Sequence, residues 1–204
     1  MQTGQGCFVA VVGPSGAGKD TLINWVRPRL AGEGRVMFVR RAVTRAADGR
    51  TEDHDSLDRE SFAIEEEAGR YAVCWEAHGL RYGIPAGALH HVEKGGIAIA
   101  NGSRRALGDI EVAFGNLLVV NLTVERAVLS KRLAARGRET AEEIARRLDR
   151  SKEALPAGCR SVEIDNSGPI ERAGEAFLDL LRSEFGLAPT PSVNNPGPAA
   201  AARP

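Results

Sequence analysis

The sequence predicts an α/β fold in which a parallel sheet is flanked by helices. Three observations support this prediction. Short apolar segments recur along the chain and alternate with helical patterns, as the strands and helices of a parallel sheet do. A glycine-rich segment, Gly13–Lys19, lies between the apolar run Cys7–Val12 and a helical pattern that begins at Thr21. The 204 residues, 43% of them hydrophobic, are enough to build one domain with a buried core.

The strands are predicted from short, continuous apolar runs, which are typical of strands buried on both faces of a sheet. After the first strand, Cys7–Val12, further strands are expected at Val36–Val39, Gly95–Ala100, Leu117–Leu122 and Val162–Ile164. The runs Tyr71–Ala77 and Leu80–Gly83 flank the dipeptide His78-Gly79, which predicts a hairpin. Ligands of such a sheet are expected at the carboxyl ends of the strands, next to the glycine-rich segment.

Helices are predicted in the intervals between the strands. A polar loop is expected to end near Ser56 and to be followed by a short helix over Arg59–Glu67. Thr140–Glu143 has the spacing of a capping box, which predicts a helix that starts near residue 141. A final helix is expected to have Pro169 in its first turn and to end near Phe185. Its apolar stripe consists of Ala173, Phe177, Leu180 and Leu181.

Composition limits the classes of partner. Lys and Arg total 27, as do Asp and Glu, and this balance argues against nucleic acid or a membrane surface, whose binding rests on excess positive charge. The absence of an apolar leader or a membrane-length apolar run predicts a cytoplasmic protein. Three widely spaced cysteines indicate neither a zinc site nor a disulfide framework. One domain is expected over residues 5–187, and the Pro- and Ala-rich residues 188–204 are expected to form a disordered tail.

The glycine-rich segment has the spacing of a P-loop, in which backbone N–H groups and a lysine hold the phosphates of a triphosphate. The predicted phosphate-binding residues are Gly13, Pro14, Ser15, Gly16, Ala17, Gly18, Lys19, Asp20 and Thr21. The position after the lysine usually offers a hydroxyl to Mg²⁺, and here it is Asp20. Because hard cations accept carboxylate or hydroxyl oxygen, either Asp20 or Thr21 is the expected metal ligand.

Two classes of P-loop protein are disfavoured. The Asn-Lys-x-Asp signature of GTPases is absent, and no predicted strand ends in the acidic residue of an ATPase motor. A kinase of the nucleoside-monophosphate-kinase type remains. An arginine-rich segment at about residues 132–147 reads as helix, glycine break and helix, which predicts a lid that brings cations to a transferred phosphoryl group. A solvated basic face remains the alternative for any one of its arginines.

The chain resembles the guanylate-kinase-like group and, within it, the ribose 1,5-bisphosphate phosphokinases of phosphonate breakdown. The resemblance covers roughly residues 7–185. It rests on the P-loop with its Asp, Val43–Arg45, Glu52–Asp58, Trp75–Pro85, Asn101–Arg104 and the arginine lid. Guanylate kinases differ at three places, where this chain has Ser56 in place of Tyr, Ile84 in place of Thr or Ser, and Asn101 in place of an acidic residue. Glu76 stands where their base-reading Glu stands.

The resemblance implies transfer of the γ-phosphoryl group of ATP to ribose 1,5-bisphosphate, a sugar phosphate, to give phosphoribosyl diphosphate and ADP with the help of Mg²⁺. It implies catalytic roles for Lys19, Arg136 and Arg147, and an acceptor-binding insertion at about residues 40–95. The acceptor-binding residues it implies are Arg45, Asp53, His54, Asp55, Glu76, Arg81, Tyr82, Asn101 and Arg104. An ordinary loop or surface role stays open for several of these.

Two other functions also stay open, a guanylate kinase acting on GMP and a guanylate-kinase-like module that only binds. The second would more often lack the P-loop lysine and the lid arginines, which this chain keeps. The sequence gives no oligomeric state.

Overall fold

A computed structural model describes residues 5–45, 54–135, 142, 148 and 154–188. Their strands are β1 Cys7–Val12, β2 Val36–Phe38, β3 Arg41–Val43, β4 His54–Ser56, β5 Tyr71–Ala77, β6 Leu80–Pro85, β7 Ile97–Asn101, β8 Leu117–Thr123 and β9 Ser161–Asp165. Their helices are α1 Lys19–Val26, α2 Arg59–Glu67, α3 Ala86–Glu93, α4 Leu107–Phe114, α5 Arg126–Ala135 and α6 Ile170–Phe185, with short 3-10 helices at Arg27–Leu30 and Arg104–Ala106.

The main sheet is parallel and has the strand order β2-β7-β1-β8-β9. β1 is its central strand, and all six of its residues are fully buried. Its odd-numbered side chains pack with α1 and α6, while its even-numbered side chains pack with α3 and α4. Since both faces are covered, the strand is a continuous apolar run without alternation. The predicted α/β class and the strands of this sheet are confirmed.

The second sheet is mixed and has the order β4-β3-β6-β5. The predicted hairpin is confirmed as β5 and β6, and its two turn residues, His78 and Gly79, have φ values of 54° and 74°, as a type I′ turn requires. The polar loop predicted up to Ser56 is wrong at its end, because His54–Ser56 is β4, which pairs in parallel with β3. Three polar residues carry no apolar alternation, so the sequence held no signal for this strand.

Several helix boundaries differ from the prediction. α1 begins at Lys19 rather than Thr21, directly behind the glycine-rich loop. Pro169 is the N-cap of α6, with an extended backbone, and is not in the first turn. In the stripe of α6, Leu180 is only half buried, and Leu178 is buried with the core.

The last strand of the main sheet corrects one further prediction. β9 extends to Asp165, so one strand does end in an acidic residue. The carboxylate of Asp165 accepts hydrogen bonds from the backbone and the hydroxyl of Ser167. Of the helix predicted to start near residue 141, the structure describes only Glu142 and Leu148, which are both helical. Most of the lid and residues 189–204 of the tail lie outside the described residues. No helix in the described ranges is long and apolar enough to cross a membrane.

Candidate active site

The loop between β1 and α1 takes a backbone course that glycine alone accommodates. Gly18 has a φ of 89°, and a Cβ there would lie 2.7 Å from Nδ2 of Asn166. Gly13 has a φ of 150°, and a Cβ there would lie 2.6 Å from the carbonyl oxygen of Leu122. Both contacts are too close for a carbon atom, so the glycine spacing follows from the folded loop itself.

The loop ends at a helix N-terminus that suits an anion. Gly18 is the N-cap of α1 and supplies no side-chain acceptor, so the first-turn N–H groups are not capped from within the helix. Such groups, aligned with the helix dipole, bind phosphate. Lys19 opens the helix, and its Nζ donates to the carbonyl oxygens of Gly13 at 3.0 Å and Pro14 at 3.1 Å. The lysine charge therefore lies directly over the loop.

A buried asparagine that sequence reasoning missed ties this loop to the sheet. Nδ2 of Asn166 donates to the carbonyl oxygen of Ala17 at 2.7 Å, and its backbone N–H donates to the carbonyl oxygen of Thr123 at 2.9 Å. Asn166 is only 3% exposed and follows the end of β9 directly. The P-loop is thus fixed from two neighbouring strand ends. The only signal for Asn166 in the sequence was its place as a polar residue just after the carboxyl end of a predicted strand.

Asp20, the unusual residue of the P-loop, is paired with another departure from guanylate kinases. Nδ2 of Asn101, at the end of β7, donates to Oδ1 of Asp20 at 2.8 Å. Asn101 is 8% exposed, so the amide holds the carboxylate in place from within the fold. Thr21 is exposed. An acidic residue in place of Asn101 would put two carboxylates in contact, which explains why the two departures occur together.

The described residues hold no group of three or more His, Cys, Asp and Glu side chains that could bind a metal ion. A lone carboxylate at the P-loop still suits Mg²⁺, because this ion commonly takes one or two carboxylates together with substrate phosphates and water. The donor set around Asp20 therefore fits a magnesium ion that arrives with a nucleotide.

A cavity of about 340 Å³ opens beside the P-loop. One part of its lining comes from the P-loop and from the segment that follows β7, and another part comes from the second sheet. The cationic side chains of the lining are Lys19, Arg41, Arg45, Arg104 and Arg105. Within the described chain, no Asp or Glu lines it. The cavity is therefore built for a ligand with several negative charges.

Four of the predicted acceptor-binding residues line this cavity, namely Arg45, Tyr82, Asn101 and Arg104. Arg104 is held by a relay across the sheet. It donates to Oδ1 of Asn121 at 3.0 Å, and Nδ2 of Asn121 donates to Oε1 of Glu163 at 3.0 Å. Asn121 is 7% exposed, so the relay fixes the arginine from beneath.

Glu76 and Arg81 are not brought to the cavity. They face each other across the hairpin, whereas Trp75 and Tyr82, the neighbouring pair, line the cavity. Successive side chains of a strand point to opposite faces, so the two pairs cannot share a side. Arg81 instead forms an ion pair with Glu66 on α2. Because of this pleat Glu76 does not line the cavity, and its base-reading role stays a prediction.

The remaining predicted acceptor residues also lie elsewhere. Asp55 is exposed and lies 2.9 Å from Arg40, and neither Asp55 nor His54 lines the cavity, because β4 is the edge strand of the second sheet. Asp53, Arg136 and Arg147 lie outside the described residues. The polar, charged and aromatic cavity residues that sequence reasoning missed are Arg41, Trp75, His78, Ser103 and Arg105. Trp75 could have been found from the predicted hairpin. It is paired directly with Tyr82, so the two side chains lie on the same face of the sheet.

Comparison with known proteins gives a consistent result. No protein-family model matches the chain. A ribose 1,5-bisphosphate phosphokinase PhnN of Brucella melitensis is 49% identical over 179 residues, which cover 88% of this chain and 93% of that protein. The ribose 1,5-bisphosphate phosphokinase PhnN of Agrobacterium fabrum is 45% identical over 179 residues, which cover 88% of this chain and 98% of the relative. The crystal structure of guanylate kinase from Anaplasma phagocytophilum superimposes with a TM-score of 0.65 at 21% identity, covering 93% of this chain and 92% of that one, and shows the shared fold.

Proposed function

The chain belongs to the family of ribose 1,5-bisphosphate phosphokinases, and we propose that it transfers the γ-phosphoryl group of ATP to the 1-phosphate of ribose 1,5-bisphosphate. The products are 5-phospho-α-D-ribose 1-diphosphate and ADP. The observation that carries this proposal for the chain itself is the cavity beside the P-loop, which is lined by five cations and, in its described part, by no carboxylate.

The charge of the cavity separates this acceptor from a nucleotide. A site that reads guanine needs polar groups that pair with the base, and an unpaired group of this kind is costly to bury. The guanine-reading position expected at Glu76 faces away from the cavity. Arginines and an aromatic pair occupy the cavity instead, and they match a compact acceptor with two phosphates rather than one phosphate and a base.

The reaction needs no general base, because the attacking oxygen of the 1-phosphate is already anionic. That oxygen forms a bond to the γ-phosphorus of ATP, the bond from the γ-phosphorus to the β–γ bridging oxygen breaks, and the electron pair leaves on ADP. The obstacle is the approach of two negative phosphates. Catalysis therefore consists of positioning and charge neutralisation, which Lys19 and the cavity arginines supply.

The P-loop holds the donor. Its backbone N–H groups bind the β-phosphate, and Lys19 exchanges its bonds to the loop carbonyls for the β- and γ-phosphates. Asp20, oriented by Asn101, would hold Mg²⁺ directly or through water. When bound, the ion neutralises phosphate charge. Arg136 and Arg147 are proposed to close over the phosphates as a lid, and Asp53 is proposed to contact the acceptor.

The acceptor is tested by a screen of ribose 1,5-bisphosphate, GMP, AMP and UMP at fixed ATP and Mg²⁺ concentrations. We expect kcat/KM for ribose 1,5-bisphosphate to exceed that for GMP by roughly 10³-fold or more, since Glu76, the residue expected to read guanine, does not line the described cavity. A GMP rate equal to or above the sugar phosphate rate would assign the chain to guanylate kinases. Binding of ATP without any turnover would make it a binding module.

The role of the P-loop is tested by Lys19→Ala. Turnover should fall by about 10²–10³-fold while the far-UV spectrum stays native, because the lysine neutralises charge that is shared in the transfer. Lys94→Ala, a change at an exposed lysine at the end of α3, is the matched control and should keep full turnover. Equal turnover of Lys19→Ala and Lys94→Ala would refute the assignment of the loop.

A further inference from the structure

Three buried asparagines stand at the carboxyl ends of neighbouring strands of the main sheet. Asn101 is the last residue of β7, Asn121 lies near the end of β8, and Asn166 follows β9. They are 8%, 7% and 3% exposed. In the described part of the chain, Arg41 is the only other polar or charged side chain that is buried to this degree. Because the ligands of a parallel sheet gather at this edge, each asparagine is a candidate for contact with the substrate.

The hydrogen bonds of the three amides separate one asparagine from the other two. Both amide atoms of Asn121 are used, since Oδ1 accepts from Arg104 and Nδ2 donates to Glu163. Oδ1 of Asn166 is enclosed by the fold. Neither Asn121 nor Asn166 lines the cavity, whereas Asn101 does. Contact between a buried asparagine and the substrate is therefore expected at Asn101.

The pairing with Asp20 fixes which atom of Asn101 is left for the cavity. An ionised carboxylate can only accept hydrogen bonds, so the amide turns Nδ2 toward Asp20, at 2.8 Å from Oδ1 of the carboxylate. Oδ1 of Asn101 is then directed away from the carboxylate. None of the described residues donates to this oxygen, and it is not enclosed as the oxygen of Asn166 is. The amide oxygen is thus the acceptor that Asn101 offers to the cavity.

This oxygen requires a donor from the substrate. An ionised phosphate has only acceptor oxygens, so it cannot supply a hydrogen to the amide, whereas a sugar hydroxyl can. Asn101 also lies at the reacting end of the cavity, because Asp20 follows Lys19 in the first turn of α1, where the γ-phosphoryl group is transferred. The sugar hydroxyl nearest to the reacting 1-phosphate is the one on the adjacent carbon, the 2-hydroxyl.

We propose that Oδ1 of Asn101 accepts a hydrogen bond from the 2-hydroxyl of the sugar acceptor, and that Asn101 thereby selects ribose over 2-deoxyribose. This inference rests on the proposed function and adds to it the group that recognises the sugar. The same amide holds Asp20 through Nδ2, so one side chain aligns the acceptor with the P-loop. A sugar without the 2-hydroxyl leaves the amide oxygen unpaired in the filled site, which weakens binding of the transition state.

The test compares ribose 1,5-bisphosphate with 2-deoxyribose 1,5-bisphosphate, which differ only in the 2-hydroxyl. Release of ADP at fixed ATP and Mg²⁺ concentrations gives kcat/KM for each acceptor. The wild type should prefer the ribose compound by roughly 10–100-fold, the usual effect of leaving an acceptor in a site unpaired. Asn101→Ala should lower both values, because it also releases Asp20, and should reduce the preference to less than about 3-fold. Equal losses on both acceptors in Asn101→Ala would give the amide a merely structural role and overturn the inference.

Asn121→Ala is the matched control, because it removes a buried amide that belongs to the neighbouring strand and does not line the cavity. It should lower both values of kcat/KM by the same factor and keep the wild-type preference. The exchange of Asp20→Asn with Asn101→Asp keeps one oxygen directed to the cavity, so it should keep the preference as well. Loss of the preference in either of these variants would contradict the assignment to Oδ1 of Asn101.

A comparison that leaves the protein unchanged decides the matter if Asn101→Ala does not fold. The 3-deoxy analogue of ribose 1,5-bisphosphate keeps the 2-hydroxyl, and the wild type should use it roughly 10-fold better than the 2-deoxy analogue. Equal use of the two analogues would overturn the inference alone. A wild type that is inactive on ribose 1,5-bisphosphate would overturn the proposed function itself, so the two failures are distinguishable.

Discussion

Asn101→Asp tests whether the pairing of Asn101 with Asp20 organises the P-loop. The change replaces the 2.8 Å amide–carboxylate hydrogen bond with two carboxylates in contact. Two charges 3–4 Å apart repel by about 4–5 kcal/mol at an effective dielectric constant of about 20. The loss of stability cannot exceed the free energy of protonating one of the two carboxyls, because a proton would remove the repulsion. For a carboxyl of ordinary pKa this free energy is roughly 5–6 kcal/mol at about pH 8. After a discount for the half-exposed Asp20, we expect a loss of about 2–4 kcal/mol in the free energy of unfolding at about pH 8.

The loss should depend on pH in a defined direction. Repulsion raises the pKa of one carboxyl of the pair in the folded variant above its unfolded value of about 4. The destabilisation is therefore complete above the raised pKa and shrinks as the pH falls toward the unfolded pKa. Urea denaturation of variant and wild type, run in parallel, should show a difference of less than about 2 kcal/mol at about pH 5.

The double variant Asp20→Asn with Asn101→Asp is the matched control, because it exchanges donor and acceptor and keeps one hydrogen bond. It should recover most of the stability lost in Asn101→Asp, as interacting residues do in a double-mutant cycle. A loss that is the same at both pH values, or that the exchange does not recover, would refute the reasoning.

Three further predictions concern the loop and the core. Gly18→Ala should abolish ATP binding in calorimetry, because the φ of Gly18 is 89° and the new Cβ would meet Asn166. Gly108→Ala is the control, because Gly108 lies on α4 with open space around it. This variant should keep ATP binding and raise the free energy of unfolding by up to about 1 kcal/mol. Asn166→Asp turns a carboxylate toward the carbonyl oxygen of Ala17 and should weaken ATP binding and cost about 1–3 kcal/mol in urea denaturation, and unchanged values would refute the role of the amide. Burial raises the pKa of Cys7 from 9.0 to about 11. Alkylation of Cys7 by iodoacetamide at about pH 8 should therefore be slow until the protein unfolds. The contribution of the buried thiol to stability should be complete below pH 9 and lost as the pH rises toward 11. Rapid labelling of Cys7 in the folded protein would contradict this.

Local signals predicted the parts of the fold that local physics determines. β1 is a strand buried on both faces, and the glycines of the P-loop are required by contacts to Leu122 and Asn166. Both features stand in consecutive residues, so the sequence displays them directly. The arginine and aromatic residues of the cavity depend on which face of the second sheet each side chain occupies, and that depends on pairing between distant strands.

The hairpin shows the difference most clearly. Its turn and both strands were predictable, but the choice between Trp75 with Tyr82 and Glu76 with Arg81 as the cavity-facing pair depends on what covers the other face. α2 covers that face, and Arg81 pairs with Glu66 on this helix. Arg41 had no signal in the sequence, because β3 and β4 are short and β4 is entirely polar. Tertiary contacts therefore decide which side chains reach the cavity.

The measurement that tests the central claim most directly is the ³¹P NMR spectrum of a reaction that contains the enzyme, ATP, Mg²⁺ and ribose 1,5-bisphosphate. We expect the 1-phosphate signal to be replaced by the two coupled signals of a diphosphate, while the 5-phosphate signal remains a separate phosphomonoester and ADP appears in equal amount. A 1-phosphate signal that persists while ATP is consumed, or a diphosphate formed at the 5-position, would contradict this expectation.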